Sequence, residues 1–154
     1  MRVIDFLDKS EIDYRISEHS PAFTAQSMAA VEHESGRFVA KPVVVKVDGE
    51  FIMCVLPGCY KIDLQSLKHQ LRAASVELAD ERDISRIFVD CALGAEPPFG
   101  NLYDLATFVD KSLLNEDHIT FQAGTHERAI HMRTADYVDL VKPRQLDFSY
   151  HPVM

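Results

Sequence analysis

The chain has 154 residues, of which 47% are hydrophobic and 26% charged, and its formal net charge is -8. That length supports one domain with its own core, and the composition is that of a globular protein rather than a disordered or fibrous one. No apolar run approaches the roughly 20 residues that span a bilayer, and the acidity argues against broad nonspecific binding to nucleic acid.

Taken in chain order, "MRVIDFLDKS" carries acids inside its apolar stretch and reads as a first helix over residues 2 to 10 rather than a signal peptide. "DYRISE" (13 to 18) reads as a strand, and Thr24 is placed to cap a helix through "AQSMAAVEH". The clearest element is "RFVAKPVVVKVDGEFIMCVLP". Two β-rich runs there flank Asp48-Gly49, which predicts a type I′ hairpin. Asp63 caps a helix with Leu64, Leu67 and Leu71 on one face. "VELA" (76 to 79) is a short strand, and Asp80 caps a short helix in "DERDISRIF". A loop rich in Gly and Pro follows over residues 91 to 105, then strands in "ATFVD", "HITFQAG" and "ERAIHMR", the last two pairing across Gly124. "TADYVDLV" closes as a helix with Thr134 as its cap, and the tail from Pro143 has little pattern. Irregular alternation of helices and strands with a tight hairpin favours a mixed α/β sheet or barrel over a doubly wound parallel sheet. No repeat or linker divides the chain. Cys54, Cys59 and Cys91 are odd in number and lack a CxxC pair, so they read as reduced thiols in a cytoplasmic protein.

Several residues stand out chemically. "GTHERAIHMRTADY" (124 to 137) nearly spells a zinc-protease helix, but His126 and His131 are five residues apart, not four. That leaves them about 140° apart on a helix and on opposite faces of a strand. Metal binding is therefore not expected. His126 follows Gly124 at a turn. There its ring either bonds local backbone or projects into a cleft.

Lys41 shares its strand face with Val39, Val43, Val45 and Val47. Lysine is almost never buried alone, so it either snorkels to solvent or holds a positive charge in a pocket for an anionic ligand. Pro42 beside it is a candidate bulge or edge. The loop "GAEPPFG" is stiffened by Pro97-Pro98 and could offer free backbone N–H groups that polarise a carbonyl or hold a water. No GxSxG elbow, Walker loop or GxGxxG is present, and Cys59 and His69 have no dyad spacing.

In this order and spacing the features resemble the YbaK/ProX family, stand-alone relatives of the editing domain inserted in bacterial prolyl-tRNA synthetases. The resemblance spans roughly residues 5 to 142. It rests on "VAKPVVVKVDG" with Lys41, the G-x-x-x-P loop from Gly94 to Pro98 with Phe99-Gly100 after it, and the G-x-H turn from Gly124 to His126. It implies a mixed, partly barrel-like β-sheet surrounded by helices, forming a single editing domain over 1 to 154 with an irregular tail from about 143.

The implied activity is hydrolysis, in trans, of the ester of mischarged tRNA, without cofactor or metal. The implied catalytic positions are Lys41 and Gly94. Thr24, Ala95, Glu96, Pro98, Gly100, Gly124 and His126 are implied substrate-binding positions. Lys41 would hold the acceptor-end phosphate or ribose, the loop backbone would orient the water or ester carbonyl, and His126 would line the aminoacyl pocket or meet the terminal nucleotide. The implied partners are the acceptor end of aminoacyl-tRNA and a synthetase, with no membrane and no DNA. The alternative is a non-catalytic module that binds a tRNA end or nucleotide.

Overall fold

A computed structural model describes residues 2–33 and 35–152. Five helices and ten strands alternate: α1 (Arg2–Lys9), β1 (Tyr14–Glu18), α2 (Ala25–Val31), β2 (Ala40–Val47), β3 (Glu50–Pro57), β4 (Lys61–Ile62), α3 (Leu64–Leu71), β5 (Val76–Leu78), α4 (Glu81–Ile87), β6 (Ala106–Asp110), β7 (His118–Gln122), β8 (Arg128–Arg133), α5 (Thr134–Val141), β9 (Arg144–Leu146) and β10 (Ser149–Tyr150). A five-stranded mixed sheet runs in the order β5-β2-β3-β6-β9, a three-stranded sheet runs β1-β8-β7, and β10 pairs with β4.

The local signals explain most of these elements. Asp48 and Gly49 have φ of 48° and 90°, the positive values that a type I′ turn requires at both positions. Behind that turn β2 and β3 pair in one unbroken antiparallel register from Val47↔Glu50 to Ala40↔Pro57. Thr24, Asp63 and Asp80 each accept a backbone N–H three residues on, as helix caps. At α5 the cap position is Arg133. Thr134 is instead the first helical residue, and it is buried. The tail is not patternless: β9 extends the large sheet beside β6, and Asp110 anchors the chain beyond it by accepting from the N–H groups of Phe148 (2.7 Å) and Ser149 (2.9 Å).

The large sheet is buried on both faces. Val45, Ile52, Cys54, Leu56 and Phe108 pack under Leu67 of α3 and Phe148. Ala40, Val44, Met53, Val55 and Val109 face the main core with Val3 and Leu7 of α1, the β7 and β8 side chains Phe121 and Ile130, and Tyr137 of α5. Each fully buried Val, Leu, Ile, Phe or Met among them is worth about 1.5–3 kcal/mol in apolar burial. Pro42 causes no bulge. It pairs with Val55 in register, and β5 reaches only as far as Val45, so the Pro42 stretch has a neighbour on one side alone. Alternation therefore survives, and Lys41 does share a face with Val43, Val45 and Val47. The sheets do not close into a barrel. Among the described residues, an isolated parallel bridge between Val39 and Thr120 joins the large sheet to the small one.

Candidate active site

An open cleft of about 600 Å³ lies between the start of β2, α2, the β3–β4 turn, α4 and the loop before Gly100. That volume suits a small-molecule-sized ligand moiety. Its lining is largely apolar, with Met28, Val39, Ala40 and Val44 among the contributors. Lys41 and Lys61 bring positive charge to the lining, and Glu81 and Glu96 bring negative charge.

Lys41 is half-buried at the end of its valine face, and its Nζ donates to the Tyr60 carbonyl at 2.8 Å. This bond tethers the ammonium to the β3–β4 turn, and Lys41 and Tyr60 both line the cleft. Burial pushes the Lys41 pKa down. The nearby Cys59 thiol opposes that shift, and Lys61 adds to it. Cys59 also lines the cleft, and burial raises its pKa, away from the thiolate that a nucleophile needs.

The glycine loop is held rigidly. Gly94 has φ of 88°, and an added Cβ would stand 3.2 Å from His126 Cε1. Its N–H donates to Glu96 Oε1 at 3.1 Å, and the Ala95 N–H donates to the Ala92 carbonyl at 3.0 Å. The expected free backbone donors at these two positions are therefore occupied, the first by a side chain that a ligand can displace. Pro98 offers its carbonyl to the buried Tyr137 hydroxyl at 2.6 Å. The Gly124 N–H bonds the Ala95 carbonyl at 2.8 Å, which ties the G-x-H turn to the same loop.

The predicted positions thus divide. Lys41, Thr24, Gly94 and Glu96 line the cleft together. Ala95, Pro98, Gly100, Gly124 and His126 stand behind it. Gly100 has no room for a side chain, since a Cβ would lie 2.3 Å from Thr107 Oγ1 and 2.8 Å from the Leu105 carbonyl. His126 does not form the wall expected of it. Its Nδ1 lies 3.1 Å from the Ala22 carbonyl and its Nε2 lies 2.7 Å from the Leu93 carbonyl, while Phe23 packs on the ring with centroids 4.6 Å apart. The ring stands between the Phe23 and Leu93 segments, both of which do line the cleft.

His131 lies in a buried polar network. Its Nε2 lies 2.9 Å from Glu32 Oε1 and its Nδ1 lies 2.9 Å from Thr120 Oγ1, and Ser17 Oγ donates to the same carboxylate oxygen at 2.6 Å. This buried network fixes the end of α2, whose first turn lines the cleft. Sequence reasoning missed three residues here: Phe23, exposed at the rim; Tyr60, which anchors Lys41; and Gln122 in the lining. Among the described residues no group of three or more His, Cys, Asp or Glu side chains could hold a metal ion.

Fold and cleft together define a small mixed α/β domain with an open cleft lined by a tethered lysine and a glycine loop. The description "Aminoacyl-tRNA editing domain" matches residues 19–140, and the chain belongs to that family. It is 25% identical over 152 residues to the "Multifunctional Ser/Thr-tRNA deacylase ProXp-y" of Escherichia coli (strain K12), a match covering 96% of this chain and 90% of that one. It is 24% identical over 146 residues to the "Prolyl-tRNA editing protein ProX" of Acetoanaerobium sticklandii, covering 91% and 88% of the two chains. A solved structure described as a candidate trans-editing enzyme for prolyl-tRNA synthetase superposes with a TM-score of 0.84 at 17% identity, covering 97% of this chain and 95% of that one. That likeness concerns the fold.

Proposed function

We propose that the chain, as a single editing domain over residues 1 to 154, hydrolyses in trans the ester joining a wrong amino acid to tRNA. The observation that carries this reading is an open cleft whose lining includes both Lys41, tethered to the Tyr60 carbonyl, and Gly94. Two relatives bear names of tRNA deacylation or editing, and family membership supports the same reading. In the reaction a water oxygen bonds to the ester carbon, the bond from that carbon to the ribose oxygen breaks, one of the water's protons goes to the ribose oxygen and the other to solvent. The amino acid leaves as its carboxylate. An aminoacyl ester is activated already, so position and polarisation suffice.

Lys41 meets the acceptor-end phosphate or ribose. The ester carbonyl reaches the Gly94 N–H by displacing Glu96, and the freed carboxylate, with Glu81, suits the α-ammonium of the amino acid. Contact confined to the acceptor end reconciles a net charge of -8 with a polyanionic substrate, and a synthetase can supply the remaining affinity. Lys41→Ala is expected to slow release of amino acid from a panel of mischarged tRNAs by about a hundredfold or more with the fold intact. Unchanged turnover in the folded variant removes Lys41 from the mechanism. Binding without release across the whole panel by the unaltered chain favours a non-catalytic module.

A further inference from the structure

The end of the chain runs back to the cleft. β4 is two residues long, and among the described residues its one strand partner is β10, with Ser149 opposite Ile62 and Tyr150 opposite Lys61. So short a strand has no stability of its own, and its place is set by what pairs with it. The partner is firmly based. Phe148 is fully buried, Asp110 accepts from the Phe148 and Ser149 N–H groups at 2.7 Å and 2.9 Å, and the Asp63 N–H donates to the Phe148 carbonyl at 2.6 Å. Beyond Tyr150 the His151 ring meets the Tyr60 ring edge-on, with centroids 5.2 Å apart, and Pro152 joins the cleft lining. These residues lie outside 19–140, the span of the family match.

What they border is the lysine end of the cleft. Tyr60 supplies the carbonyl that accepts from Lys41 Nζ at 2.8 Å, and Lys61, also in the lining, is the next residue. Lys61 is close enough to push the Lys41 pKa down, and like charges stay together only where the backbone holds them. Upstream, the turn that carries Tyr60 is pinned where the Gly58 N–H donates to the Val39 carbonyl at 2.8 Å. Downstream, its backbone anchor is the ladder between β4 and β10. With Asp63 donating to Phe148, antiparallel pairing turns the Tyr150 N–H towards the Lys61 carbonyl. The place of the Lys41 ammonium is thus tied, through one carbonyl and two short strands, to the buried carboxylate of Asp110.

We propose that the segment from Ser149 to Pro152 is a positioning strap: by pairing with β4 it holds the Tyr60 carbonyl, and through it the Lys41 ammonium, in register with a ligand in the cleft, while Pro152 walls that side. Its catalytic meaning rests on the deacylase reading above. The strap acts through Lys41 and does not touch the reacting atoms. A charged group set about 1 Å off its place can lose up to about a hundredfold of its effect on rate, so a loose turn at Tyr60 is felt at the ester although the fold stands.

The test is a double-mutant cycle in the full chain. Tyr150→Pro removes the ladder N–H, whereas Tyr150→Ala keeps it and loses only the half-exposed ring. Tyr150→Pro is expected to lower kcat/KM on a mischarged tRNA by about tenfold. Lys41→Ala, at about a hundredfold in the unaltered chain, is expected to cost only about tenfold beside Tyr150→Pro and its full hundredfold beside Tyr150→Ala. A purely structural tail lowers the rate by one factor whether or not Lys41 is present, so equal Lys41→Ala costs in all three backgrounds overturn the proposal. His151→Ala with Pro152→Gly breaks no ladder bond and serves if Tyr150→Pro does not fold. There the Lys41→Ala cost is expected to shrink by about threefold or more, and an undiminished cost overturns the strap. Turnover of no ester by the unaltered chain would refute the deacylase reading instead. Nitrogen NMR of the lysine ammonium groups then decides the strap alone. The Lys41 signal, identified by its loss in Lys41→Arg, is expected to exchange its hydrogens about tenfold faster in Tyr150→Pro, and an unchanged rate overturns the strap.

Discussion

Replacing Gly94 with alanine probes the loop at the point where three segments converge. Gly94 has φ of 88°, in the left-handed region, where an L side chain costs roughly 1–2 kcal/mol. The new methyl group would also stand 3.2 Å from His126 Cε1. A free ring would swing aside, but this one stands between the Ala22 and Leu93 carbonyls, 3.1 Å and 2.7 Å from its two nitrogens, and its N–H donates to one of them. Yielding therefore weakens one hydrogen bond, worth about 1 kcal/mol. The sum is about 2–3 kcal/mol. For a chain of this length each kcal/mol lowers the melting temperature by about 2–4 °C, so a fall of about 4–12 °C is expected. Thermal melts followed by circular dichroism measure it for the unaltered chain, Gly94→Ala, His126→Ala and the double variant. Gly94→Ala should cost about 0.5–1 kcal/mol less where His126 is already alanine, because the contact share has gone and the φ share remains. Deacylation should drop with stability as Leu93 and Gly94 shift in the cleft lining. A midpoint unmoved by Gly94→Ala, or identical costs in the two backgrounds, refutes the clamp.

Two further outcomes can be checked directly. Burial lowers the Lys41 pKa from its ordinary 10.5, so affinity for a stable amide analogue of the aminoacyl end should be full below the lowered pKa and lost as pH rises through it, beginning below pH 10.5. The stability contribution has the opposite sign, since the buried charge destabilises below the folded pKa and is relieved between that value and 10.5. Calorimetric titration across that window, with Lys41→Arg as the variant that keeps its charge throughout, shows whether the alkaline loss belongs to this group. Tyr137→Phe leaves the Pro98 carbonyl without its buried donor and should lower stability by about 1–3 kcal/mol, read as a lower urea midpoint with an unchanged slope.

What the sequence disclosed is what local chemistry controls. Asp48-Gly49 makes its own turn, and Thr24, Asp63 and Asp80 cap helices with partners three residues away. Lys41 was visible as a charge among valines, though the Tyr60 carbonyl that aims it was not. His126 was visible as a turn histidine, but the direction of its ring is set by carbonyls 104 and 33 residues distant in the chain. Thr120 and Gln122 alternate with Ile119 and Phe121 in the manner of a solvent-facing row. Both are nevertheless buried, because Val39 meets β7 from another sheet. The strand in the tail escaped notice for the same reason. Arg144–Leu146 has no periodic run of its own and becomes a strand only because β6 offers an edge.

The bridge between Val39 and Thr120 has a consequence for the shape of the cleft. Lys41 and Gln122 each lie two residues beyond it, on the two chains it joins, and residues two apart share a face of an extended strand. The gap between these two lining residues is thus anchored at a common vertex, the bridge itself. Thr120 sits at that vertex, fully buried and absent from the cleft lining. A change of volume there would open or narrow the gap like the pivot of a pair of callipers. On the deacylase reading proposed above, a Thr120 variant would therefore act on the cleft from outside its lining.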